Sequence, residues 1–137
     1  MNKNRAAEIA YFLLRVVSGL LFLQAGGVKI FDWFGGVPAQ FGGHPPLMSQ
    51  TWVGGMLECY GGAAILLGFL TQPVAFILSG EMAVAYFQFH QPSGFWPVQN
   101  HGEPAVLFCF IFLYLASQGG GEWSLDALLR RRRTGTP

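Results

Sequence analysis

The sequence predicts an all-α fold, a four-helix transmembrane bundle with antiparallel spans, on three observations. Only 11% of the 137 residues are charged and 52% are hydrophobic, whereas an average soluble domain carries about 25% charge. Four stretches, near residues 7–27, 51–70, 73–90 and 104–118, are apolar over close to the ~20 residues that a bilayer crossing needs. The bases gather at the chain ends: six of the eight Lys and Arg are Lys3, Arg5 and Arg130, Arg131, Arg132 and Arg133.

The elements follow in order. Lys3 and Arg5 before an apolar run also fit a signal peptide. However, Arg15 interrupts the run and no small-x-small cleavage site follows, so the first stretch reads as a retained span. Two long connections, Lys29 to Gln50 and Gln91 to Glu103, are rich in Gly, Pro and Trp. They are expected to lie at the membrane–water interface and partly cover the bundle. Between the second and third spans stand only Thr71 and Gln72, short enough to force an antiparallel helical hairpin. Pro73 suits the first turn of the third helix, where its missing N–H costs little. The fourth span is short and starts between Gly102 and Pro104, or thins the bilayer locally.

The ending GGGEWSLDALLRRRR reads as a glycine break and a short amphipathic helix over the basic tail 124–137, capped by Ser124. Its arginines either lie against anionic lipid or form a solvated tail that sets orientation. Four spans put both termini on one side, and the positive-inside rule makes that side cytoplasmic. The whole of 1–137 is one domain. Its partner is the lipid bilayer, and no basic stripe interleaved with aromatics suggests nucleic acid.

Charged residues inside the apolar stretches carry the functional question. Glu58 lies within GGMLECYGGA, and positions three and four away on either side, Gly54, Gly55, Gly61 and Gly62, are all glycine. That stripe lets another helix backbone approach the carboxylate. Arg15 is followed by Ser18 and Gly19, and Glu81 stands beside Gly80. An ionisable group at the membrane centre costs on the order of 3 kcal/mol, so such groups are paired or functional. At about 1.5 Å per residue, Arg15 and Glu81 both lie about 12 Å in from the cytoplasmic side and Glu58 about 18 Å. A bundle can therefore pair Arg15 with Glu81 and place Glu58 one turn above. These three are the candidate catalytic residues. One of the two glutamates, Glu58 first, is expected to hold a proton, a state suited to exchanging protons with a quinone. The same cluster also reads as an inert pair that fixes helix register.

A second polar group collects at the outer rim: Lys29, Asp32, His44, His90, His101 and Glu103. Lys29, His90 and Glu103 are the candidate contacts for a cofactor. The histidine spacing matches no metal-ligand motif, so no metal site is expected. Cys59 and Cys109 form no CxxC. Their similar depths leave a disulfide open, although buried cysteine is usually a small apolar filler.

RVVSGLLFLQAGGVKIF and GGMLECYGGAAILLGFLT resemble the DoxX family of small membrane proteins. So do the third-span glutamate, NHGEPAVL, and the closing GGGEWSLD. The likeness runs from Arg15 to Asp126 and touches Arg15, Lys29, Glu58, Gly61, Gly62, Glu81, Glu103 and Asp126. It implies a four-helix protein of the cytoplasmic membrane. It also implies a subunit of a membrane redox complex, of the thiosulfate:quinone oxidoreductase or thiol and oxidative-stress kind. Quinone is then the cofactor to expect, and other subunits or a second copy are the protein partners. The competing expectation is a non-catalytic scaffold whose buried charges hold the bundle together.

Overall fold

The computed structural model describes residues 3–135. Helices account for all the regular structure among them. α1 is Lys3–Phe31. α2 covers residues 50–67, as Gln50–Met56, a π-helical turn Leu57–Gly61 and Gly62–Leu67. α3 covers residues 71–90, as Thr71–Ala85 followed by a π-helical turn Tyr86–His90. α4 is Glu103–Gln118 and α5 is Leu125–Thr134. Among the described residues, α1 alone is an uninterrupted α-helix long and apolar enough to cross a membrane, and α4 is a shorter apolar helix. α2 and α3 reach comparable length only through their π turns.

Local chemistry sets these limits. α1 runs four residues past its expected end because Lys29 to Phe31 continue the helix until Asp32 turns left-handed at φ 53°. Ser49 caps α2 by accepting a hydrogen bond from Trp52 N at 3.2 Å. α2 stops at Leu67, three residues early, because Gly68 takes φ 69° and closes the helix with a left-handed residue. Leu70, also left-handed at φ 48°, makes the corner into α3.

α1 packs mainly on α2, and α4 mainly on α3. The first pairing depends on bare backbone. A Cβ at Gly62 would stand 2.3 Å from Leu23 N and 2.8 Å from Gly19 O; one at Gly26 would stand 2.2 Å from Cys59 N. The two helices are thus antiparallel and in backbone contact. The expected stripe around Glu58 is shared between two neighbours: Gly55 and Gly62 face α1, while Gly54 and Gly61 face α3. Gly62→Ala should push the pair apart and cost about 2 kcal/mol, as overpacking does. Gly80 has nothing within 4 Å of its added Cβ, so Gly80→Ala should be neutral or slightly stabilising. Thermal unfolding in detergent compares the two.

Buried Phe22, Ile65, Leu78, Phe112 and Leu115 join the helix pairs. Phe22 meets Phe112 edge-on at 4.5 Å and Phe108 at 4.9 Å between ring centres. The end of the bundle near the chain termini is closed by polar contacts. Asp126 accepts from Leu70 N at 2.8 Å, Thr71 N at 2.9 Å and Thr71 Oγ1 at 2.8 Å. One carboxylate therefore caps α3 and docks α5. Ser124 caps α5 through Ala127 N, as expected. The tail is helical through Thr134; Thr136 and Pro137 lie outside the described residues.

Arg15 belongs to this end, which corrects the expected Arg15–Glu81 pair. Its Nη1 donates to Ile65 O at 2.8 Å and Leu66 O at 2.7 Å, and its Nη2 to Trp123 O at 2.6 Å. The depth estimate failed because the start of α1 extends beyond the end of α2. Arg15 therefore lies level with the last turn of α2, while Glu81 lies level with Gly54.

Candidate functional site

A cavity of about 740 Å³ opens between the α1–α2 and α3–α4 pairs, toward the end that carries the long loops. Its walls are mostly apolar, including Phe22, Leu57, Met82 and Phe108, and its polar lining includes Lys29, Glu58, Glu81 and His90.

Lys29 sits in the last turn of α1. Gly55 permits the approach, since a Cβ there would stand 2.9 Å from Lys29 Cβ. The ammonium donates to Glu58 Oε1 at 2.7 Å and Oε2 at 2.6 Å. The Glu58 side chain is 8% exposed and that of Lys29 is 30% exposed. A buried carboxylate thus has a partner that remains in contact with the cavity. Glu58 lies on the π turn of α2, and His90 ends the π turn of α3. π turns inside α-helices are frequent at functional sites, and both of these border the same cavity.

Glu81 is the unpaired member. No hydrogen bond satisfies its buried Oε2. Its Oε1 lies 3.0 Å from where a Gly54 Cβ would stand. Lys29 pairs with Glu58, the glutamate named first as the proton holder, and Glu81 is the carboxyl without a cation in contact.

Of the rim residues, Lys29 and His90 reach the cavity. His90 Nδ1 lies 3.1 Å from Asn100 O. Glu103 is exposed at the start of α4 and does not line the cavity, although Pro104 and Ala105 do. His44 pairs with Asp32 at 3.0 Å, and His101 is exposed. No three His, Cys, Asp or Glu side chains among the described residues converge on a metal position. Cys59 and Cys109 are free thiols; Cys59 lies against Gly26 of α1, and Cys109 lies against Ser79 of α3.

Two organisers escaped the sequence reading. Asn100 donates to Gly94 O at 2.7 Å and Tyr86 Oη at 3.2 Å, and accepts from Gly102 N at 2.8 Å. It folds the second long loop beside the cavity mouth. Its place in the turn Asn100-His101-Gly102 was the available signal. Asp126 was noted as part of a resemblance, but its capping of a distant helix is visible only in three dimensions.

The DoxX family model matches residues 10–91, well over half of the chain. The chain belongs to the DoxX family. The DoxX match contains Arg15, Lys29, Glu58, Glu81 and His90, hence most of the cavity's polar groups. A Haemophilus influenzae protein named only as uncharacterized is 38% identical, covering 85% of this DoxX chain and 89% of its own. The inner membrane protein YqjF of Escherichia coli is 30% identical over 94% of this chain and 98% of its own. An uncharacterized membrane protein of Mycobacterium tuberculosis is 28% identical over 88% and 82%. No solved structure matches the chain.

Proposed function

We propose that this DoxX protein is a four-span protein of the cytoplasmic membrane, both termini cytoplasmic, that binds a quinone-class molecule as a subunit of a membrane redox complex. The membrane names of two relatives and the arginines at both ends of the chain support the placement. The observation that carries the ligand reading is the cavity: apolar walls around one ion pair and one unpaired carboxyl. This is the usual composition of a small-molecule site.

The residues fit such a molecule. The Lys29 ammonium has three donors and spends contacts on Glu58, which leaves it a donor for a carbonyl oxygen. Glu81 offers an unsatisfied carboxyl oxygen for holding a proton. His90 stands at the mouth, where a proton can pass to water. A quinone, when bound, supplies the two-electron, two-proton chemistry that no side chain here supplies. The other substrate in this reading is a sulfur compound or thiol delivered at the loop side.

Titration of the purified protein with a short-tail quinone, followed by tryptophan fluorescence, tests the reading. Binding should be saturable and fall at least about tenfold in Gly54→Leu, whose side chain would fill the cavity beside Glu81. Equal binding in the variant would refute the site.

A second reading, a non-catalytic scaffold, is favoured by the Arg15 contacts alone. That cation meets carbonyls at the end of α2 and in the tail through Nη1 and Nη2, an arrangement that joins segments away from the cavity.

A further inference from the structure

We infer that α5 is a docking surface for anionic phospholipid, whose phosphates its arginines take while its leucines face the acyl chains. The inference has the bilayer placement proposed above as its setting and goes beyond it, using neither the cavity nor any redox step. The first turn of α5 is fixed to the bundle. Asp126 caps α3 through its carboxylate, its N–H donates to Gly68 O at 2.9 Å, and Ser124 caps α5 itself. Ala127 is buried and marks the side that faces the bundle. At about 100° per residue, Leu125, Leu128 and Leu129 lie on the sides turned away from it. All three are exposed. Leucines gathered on a helix that is held in place mark a surface that something apolar covers.

The charge says what that cover is. Arg130, Arg131, Arg132 and Arg133 follow the leucines and are all exposed. Among the described residues none of their guanidiniums has an ion-pair partner. The helix C-terminus favours a base or two in its last turn, but that effect leaves the leucines unexplained. The acids in this segment, Glu122 and Asp126, stand at the other end of the helix. Arg5 adds a fifth cation there, 5.3 Å from the centre of the Trp123 ring. Leucines and arginines together on one short helix suit the boundary between acyl chains and head groups. A guanidinium grips a phosphate through two parallel hydrogen bonds, and a bilayer offers phosphates and hydrocarbon side by side.

Amide hydrogen exchange across α5, measured by mass spectrometry on the full-length protein in lipid nanodiscs, tests the inference. Exchange should slow at least about tenfold when phosphatidylglycerol replaces part of the phosphatidylcholine. Salt at about 1 M, which shortens the screening length to about 3 Å, should reverse most of that slowing. The combined variant Arg130→Gln, Arg131→Gln, Arg132→Gln and Arg133→Gln should lose the lipid dependence, whereas lysine at the same four positions should keep most of it. Glutamine is about as good a helix former as arginine, so the variant should melt as the wild type does. Leu128→Gln with Leu129→Gln should speed exchange in both lipids. Equal exchange in the two lipids, or a lipid dependence that survives the four glutamines, would overturn the inference. So would the same slowing caused by free inorganic phosphate, or by a second copy of the chain in phosphatidylcholine discs. Both leaflets of the disc carry the anionic lipid, so the result is independent of which way the chain is inserted. Quinone binding stands or falls separately.

Discussion

Arg15→Met is expected to destabilise the protein by about 3 kcal/mol and to release its tail. The guanidinium is 1% exposed and serves three carbonyls, those of Ile65, Leu66 and Trp123. Methionine keeps much of the volume but takes this donor from Leu66 O and Trp123 O, while Ile65 O keeps the Gly68 N–H at 3.1 Å; each acceptor left unpaired where water cannot reach costs about 1–3 kcal/mol. The loss is concentrated where the end of α2 meets the segment leading into α5. Chymotrypsin cleavage after Trp123 should therefore accelerate well before the bundle melts, since the Trp123 carbonyl is one of the three. Ligand affinity of the folded fraction should change little, because Arg15 does not line the cavity. A variant that melts normally and keeps its tail protected would show that water or neighbouring groups replace the guanidinium.

The second large effect concerns the ion pair. Lys29→Met should cost about 3 kcal/mol, because it strands the Glu58 carboxylate in a site only 8% exposed. The double variant Lys29→Met with Glu58→Gln should recover most of that loss, since breaking one half of a buried pair is worse than removing both. Thermal unfolding of the wild type, both single variants and the double variant gives the coupling energy directly. Near-additive losses would mean that the two side chains are independent, in conflict with contacts of 2.6 and 2.7 Å.

Much of this was legible in the residues. Apolar run lengths gave the four long helices within a few residues. The glycines around Glu58 announced close helix packing, and Ser124 announced the α5 cap. The partners of the charges were not legible, for a geometric reason. Counting depth from helix ends assumes that the helices begin and end at common levels. α1 overhangs α2 at the terminal end, which moves Arg15 toward the tail. It also continues past its expected limit at the other end, which carries Lys29 over Gly55 to Glu58. The π turns at Leu57–Gly61 and Tyr86–His90 shift side-chain directions in a way that a 3.6-residue period cannot reveal. Asn100 and Asp126 act on backbone groups of other segments, a role without sequence periodicity.

The central claim is that the space between the two helix pairs holds a lipid-soluble redox molecule. The most direct measurement is gentle purification from a native membrane, followed by solvent extraction and mass spectrometry of what the protein carried. The account predicts a quinone-class molecule approaching one per chain, far above its ratio to phospholipid in the surrounding membrane. An extract containing quinone only in proportion to the carried-over lipid would contradict it.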